Sequence, residues 1–161
     1  MNYFKRTEKY LYNYHGIIAG IKNAEQELQQ ALNEYIGTSA VDTTKEQTSP
    51  TFKFSSATED EIIEKEKIIE CLKRKIANEK MLLSNINNAV EALNREEKEL
   101  IKLRYFQALP WNEVARKLNY SPDHCRGKMR AGVIKRVAIG LFGISKIEKW
   151  EVENTSGTQM A

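Results

Sequence analysis

Arg126, Lys128, Arg130, Lys135 and Arg136 fall within eleven residues, and the nearest acidic side chain is Asp123. Guanidinium and ammonium groups at that density suit one task, the neutralisation of a polyanion such as a nucleic-acid backbone. The wider charge distribution agrees. Residues 101–149 carry eleven basic and three acidic side chains, net +8, whereas residues 59–100 are net −3 and residues 1–58 balance. The competing reading is a basic face that is merely solvated. Catalytic chemistry has no comparable signal. There are no paired carboxylates at a cleft, no Gly-rich phosphate loop and no Ser/His/Asp layout. Cys71 and Cys125, 54 positions apart, form neither a metal spacing nor a disulfide framework. The chain reads as a non-enzyme with no cofactor and no metal.

The elements that must hold these cations are legible on either side. Pro110 opens a short helix over Trp111 to Leu118, with Val114, Ala115 and Leu118 inward. Asn119 suits a tight turn, because asparagine tolerates the left-handed conformation. Ser121-Pro122 then starts a second helix, with serine as N-cap and proline at the first helical position. Placing Cys125, Met129 and Val133 inward leaves His124, Arg126, Gly127, Lys128, Arg130, Ala131 and Lys135 outward. Two helices joined this way form either a helix-turn-helix or an ordinary α-hairpin. The outward cations favour the former.

Upstream, Tyr14, Ile17, Ile21, Ala24, Leu28, Ala31 and Tyr35 recur at helical spacing, predicting one long amphipathic helix from Tyr3 to about Ile36. Residues 37–58 hold ten Ser/Thr and read as a linker, in which Phe52 and Phe54 are the only hint of a strand. From residue 62 to 93, ten positions stepping by three and four carry eight apolar side chains, the pattern of a coiled-coil seam. Thr58 is its candidate N-cap. The seam must meet either the first helix folded back or a second copy of the chain. Asn94 and Glu97 form a capping-box pattern that restarts a helix through Phe106. The expected count is five helices, the last ending at Gly140 and Gly143. Cys125 is expected to be a small buried hydrophobe and Trp111 to pack on the preceding helix. No apolar run approaches the ~20 residues needed to span a bilayer, and no secretory leader is visible, so the chain reads as cytoplasmic.

Leu93 to Val137, "LNREEKELIKLRYFQALPWNEVARKLNYSPDHCRGKMRAGVIKRV", resembles region four of bacterial sigma factors, where a helix ending in "LRYF" precedes the promoter-reading helix-turn-helix. The tyrosine-rich "YLYNYHGIIAGI", the Ser/Thr linker and the heptad helix running into that motif resemble the RinA/ArpU-type phage transcription regulators, sigma-like activators of late operons. The resemblance implies that Pro122, Asp123, Arg126 and Gly127 face double-stranded DNA. Arg126 is the candidate base contact, since its planar fork can take guanine O6 and N7 together. Asp123 either accepts from cytosine N4 or favours the helix N-terminus electrostatically. Lys117, Lys128, Arg130 and Lys135 are candidate phosphate contacts, and His124 either reaches a phosphate or is solvated. Pro122 and Gly127 stand where sigma factors often carry base-reading side chains.

These readings combine into an all-α protein: a helical hairpin or coiled coil over residues 1–93, a sigma-like DNA-binding domain over 94–145, and a flexible tail over 146–161. The expected function is sequence-specific transcription regulation with bacterial RNA polymerase as a partner, and self-association through residues 62–93. The rivals are a small terminase-like subunit that recognises phage packaging sites, and a coiled-coil interaction protein without specific DNA binding.

Overall fold

The computed structural model describes residues 2–39 and 56–156, and within them every regular element is helical. There are seven helices among the described residues, not five. They are α1 (Tyr3–Tyr12), α2 (Tyr14–Ser39), α3 (Ser56–Glu91), α4 (Arg95–Ile101, continued by a π-helical Lys102–Phe106), α5 (Trp111–Leu118), α6 and α7 (Ile144–Ser156). Helix α6 runs Pro122–His124, widens to a π-helix over Cys125–Met129, and continues as Arg130–Phe142.

The extra count has two causes. The expected single N-terminal helix is broken at Asn13, whose side-chain amide donates to the Lys9 carbonyl at 2.7 Å and competes with the helical ladder. The expected tail is instead helical as far as Ser156. Ile147 is fully buried, and Trp150 meets Phe4 edge-on with ring centroids 5.1 Å apart. Gly143 separates α6 from α7 at φ 86, whereas Gly140 lies inside α6. Helices α2 and α3 also extend to Ser39 and back to Ser56, so Thr58 is not the helix N-cap. Phe52 and Phe54 lie outside the described residues.

Contacts divide the chain into two compact units, Met1–Ile18 with Met81–Ala161, and Ala19–Lys80. A boundary at residue 93 does not describe this division, because α1 belongs with the C-terminal helices. In the Ala19–Lys80 unit, Ile21 and Ala24 of α2 and Ile69 and Ile76 of α3 are buried. Glu25 and Lys80 pair at 2.6 Å, and Gly20 leaves room for the Glu79 carboxylate. The seam spacing holds from Ile69 onward, but Ile62 at its start is 38% exposed. The other unit has a core of Leu11, Ile86, Leu93, Leu100, Leu103, Val114, Val133 and Val137. Around it Tyr14 stacks on Phe106 at 4.3 Å, and Gly140 approaches Ala89 so closely that a β-carbon there would lie 2.8 Å from the alanine methyl.

The capping box at the start of α4 is formed in both directions. The Glu97 amide donates to Asn94 Oδ1 at 2.9 Å, and the Asn94 amide donates to Glu97 Oε2 at 3.3 Å. No helix of the described residues is long and apolar enough to cross a membrane.

Candidate nucleic-acid interface

Helix α5 ends where Asn119 turns into the left-handed region, φ 59 and ψ 39, and the Tyr120 amide donates back to the Ala115 carbonyl at 3.0 Å. This is the conformation that asparagine accepts at lower cost than most residues. Two residues later the Ser121 hydroxyl accepts from the His124 amide at 3.2 Å, and Pro122 occupies the first helical position. The cap satisfies one of the amides that every helix N-terminus leaves without a partner. Val114, Ala115, Cys125 and Val133 are buried. Burial also pushes the Cys125 thiol above its ordinary pKa, which suits packing rather than reactivity.

With Cys125 inward, Pro122, Asp123, His124, Arg126, Gly127 and Lys128 are all exposed. The four-residue steps 122 to 126 and 123 to 127 align two pairs of them along the helix. A β-carbon on Gly127 would meet nothing within 4 Å, so the helix backbone is approachable there. Lys117 is exposed in the last turn of α5, together with Arg116, which sequence reasoning did not single out. Among the described residues Arg116, Lys117, Arg126 and Lys128 have no acidic partner. The His124 ring stacks on Tyr120 at 5.1 Å, and the Tyr120 hydroxyl donates to Glu96 at 3.1 Å.

Arg130 and Lys135 are differently placed. Both carry carboxylate partners from helices that pack beside α6. The Arg130 fork grips Glu8 of α1, with Nε to Oε1 at 2.6 Å and Nη2 to Oε2 at 2.8 Å. The Tyr105 hydroxyl donates to the same Glu8 Oε1 at 2.8 Å. Burial pushes the Glu8 carboxyl up, but the hydrogen bonds from Arg130 and Tyr105 and the nearby charges outweigh it, leaving it below its ordinary 4.5. Burial and the facing carboxylate raise the Tyr105 hydroxyl far above its usual value. Lys135 pairs with Glu151 of α7 at 2.8 Å, and Arg136 pairs with Glu97.

Glu8, Tyr105 and Glu151 were not anticipated. Glu8 lies 122 residues from Arg130, a separation that helical periodicity cannot bridge. Arg104, of the "LRYF" segment, lies over Trp111 at 4.8 Å and donates to the Leu109 carbonyl at 2.9 Å, so Trp111 does pack on α4. Among the described residues no group of three or more His, Cys, Asp and Glu side chains could hold a metal ion.

The match to a protein-family model covers residues 4–136, under the description "Protein of unknown function (DUF722)". The chain belongs to the DUF722 family. The DUF722 match takes in α1 with Glu8, the α5–α6 turn and Arg130, and it stops before α7. No curated protein and no solved structure matches the chain.

Proposed function

We propose that this DUF722 protein is a sequence-specific DNA-binding transcription regulator in which α5 and α6 act as a helix-turn-helix, α6 entering the major groove. The resemblance to sigma region four and to RinA/ArpU-type activators supports reading it as a phage or prophage activator of late genes, with RNA polymerase as its second partner. The observation that carries the reading is the first two turns of α6. Pro122, Asp123, Arg126 and Gly127 are exposed while Cys125 is buried, and the left-handed Asn119 and the Ser121 cap fix this stretch against α5. An ordinary α-hairpin needs no open backbone at position 127 and no run of unpaired cations beside it.

Within this reading Arg126 contacts a base, and Lys117 and Lys128 contact phosphates. Arg116 joins them as a phosphate contact. The long helices α2 and α3 serve as a coiled-coil body. Part of their seam is covered from within the chain, Ile69 and Ile76 being buried in the same unit as Ile21 and Ala24, which supports packing in cis over that stretch.

The test is selection of binding sites from a random duplex library, followed by salt titration. Native protein should enrich one sequence, and Arg126→Ala should lose about 1–3 kcal/mol on it and relax one base pair. Replacing Lys117 and Lys128 by Ala should flatten the slope of log K against log salt by about 0.9 per contact. A native protein that enriches no sequence and binds duplex without salt dependence rules the reading out.

A further inference from the structure

The face of α6 beyond Gly127 opens into a groove of about 340 Å3 lined by Phe4, Glu8, Gly127, Arg130, Ala131 and Ile134 among others. Arg130 sits four residues after Arg126, on the same side of the helix one turn on. Its side chain is still 42% exposed, whereas that of Glu8 is only 18% exposed. Glu8 thus approaches from the protein side and engages the Nε/Nη2 edge of the guanidinium, the edge that takes two oxygens of a carboxylate or a phosphate at once. Two parallel contacts of 2.6 and 2.8 Å to one oxyanion are the geometry a DNA phosphate adopts on an arginine.

The Tyr105 hydroxyl also donates to Glu8 Oε1, and α1 itself is anchored by fully buried Thr7 and Leu11. Glu8 is therefore a fixed group, while Arg130 is a long side chain with room in the groove to turn. A paired arginine adds no net charge to the binding face and releases no counterion.

We propose that Glu8 occupies the place of a DNA phosphate on Arg130, so that Arg130 contacts DNA only when a phosphate displaces this internal carboxylate. This rests on the DNA-binding reading and adds a control to it. The open contacts at Arg126 and Lys128 capture duplex first. Arg130 joins only where the duplex backbone is held closely enough against Gly127 and Ala131 to compete with a tethered carboxylate. The internal pair then penalises loose, non-specific complexes more than a well-seated one.

Full-length native protein and Glu8→Gln are titrated with a short random-sequence duplex at several salt concentrations, each variant first checked for a cooperative melt. Glutamine keeps an acceptor for Tyr105 but removes the charge. Glu8→Gln should bind random duplex more tightly, with a salt slope steeper by about 0.9, one further phosphate contact. The double variant Glu8→Gln/Arg130→Gln should return to the native slope. A folded Glu8→Gln with the native slope overturns the proposal. Weaker binding by Glu8→Gln also overturns it, because Glu8 then supports Arg130 rather than competing with DNA.

A second measurement needs no variant. In the native protein, the side-chain carboxyl carbon of Glu8 should shift as its selected duplex approaches saturation, and a resonance that stays in place overturns the exchange. Native protein with no salt-dependent duplex binding removes the DNA reading itself and this inference with it. Native binding with an unaltered Glu8→Gln slope removes only the inference.

Discussion

At the scale of single residues, Gly127 separates stability from binding. It is helical, its added β-carbon would meet nothing within 4 Å, and alanine is the better helix former. Gly127→Ala should raise stability by about 0.5–1 kcal/mol, read from chemical denaturation, while weakening DNA binding, because the methyl occupies the approach to the backbone. A variant that is both more stable and equally tight leaves Gly127 without a role at the interface. Glu8 gives a pH dependence. Its folded-state pKa is below its ordinary 4.5, so its contribution is present above that value and is lost as pH falls through the folded pKa. Native protein should therefore melt above Glu8→Gln at neutral pH, and the gap should close as the solution is acidified below 4.5. Residue chemistry was largely legible where it is local. The Ser121 cap, the Asn119 turn and buried Cys125 follow from neighbours in sequence. The pairing of Arg130 and Lys135 with Glu8 and Glu151 does not, since only the folded chain brings those carboxylates near.

At the scale of elements, the two glycines of the later part of α6 differ in a way that spacing alone does not reveal. Gly140 lies against Ala89 of α3, and a β-carbon there would stand 2.8 Å from that methyl and 3.2 Å from its backbone, whereas at Gly132 nothing lies within 4 Å. Gly140→Ala should cost about 1–3 kcal/mol by overpacking, and Gly132→Ala should gain about 0.5–1 kcal/mol from helix propensity. Equal effects in thermal melts would falsify the close packing of α6 on α3. Apolar periodicity predicted α3, α5 and α6 because α5 and α6 each bury one stripe and α3 buries one from Ile69 onward. It missed the break at Asn13, where a side chain takes a backbone carbonyl, and it missed α7, whose Ile147 and Trp150 were too few to stand out as a stripe. The π-helical turns at Lys102–Phe106 and Cys125–Met129 were equally hidden, since one extra residue per turn leaves no compositional trace.

At the scale of the molecule, the unit that carries α5 and α6 also needs α1 and the end of α3. Leu11 and Ile86 are fully buried in its core, and Ala89 and Leu93 lie beside them. Losing even two large buried side chains costs roughly 2–5 kcal/mol each, against a total of about 5–15 kcal/mol for a typical domain. A fragment of residues 94–161 should therefore show no cooperative thermal transition, and a sharp two-state melt from it would mean that α1 is dispensable. A sequence boundary at residue 93 sets a domain over 94–145 apart from α1, because periodicity describes faces and says nothing of which distant face covers them. The same placement of α1 has a temporal side. Glu8 and Leu11 are translated ahead of the Arg130 and Val133 to Val137 stretch that shelters α1, which is added more than a hundred residues later. Contacts of such long range close slowly, and apolar surface left waiting for them invites aggregation. Helix α1 is thus translated well before the stretch that houses it, and in the interval its tyrosines and Leu11 are open to whatever holding factor meets the nascent chain.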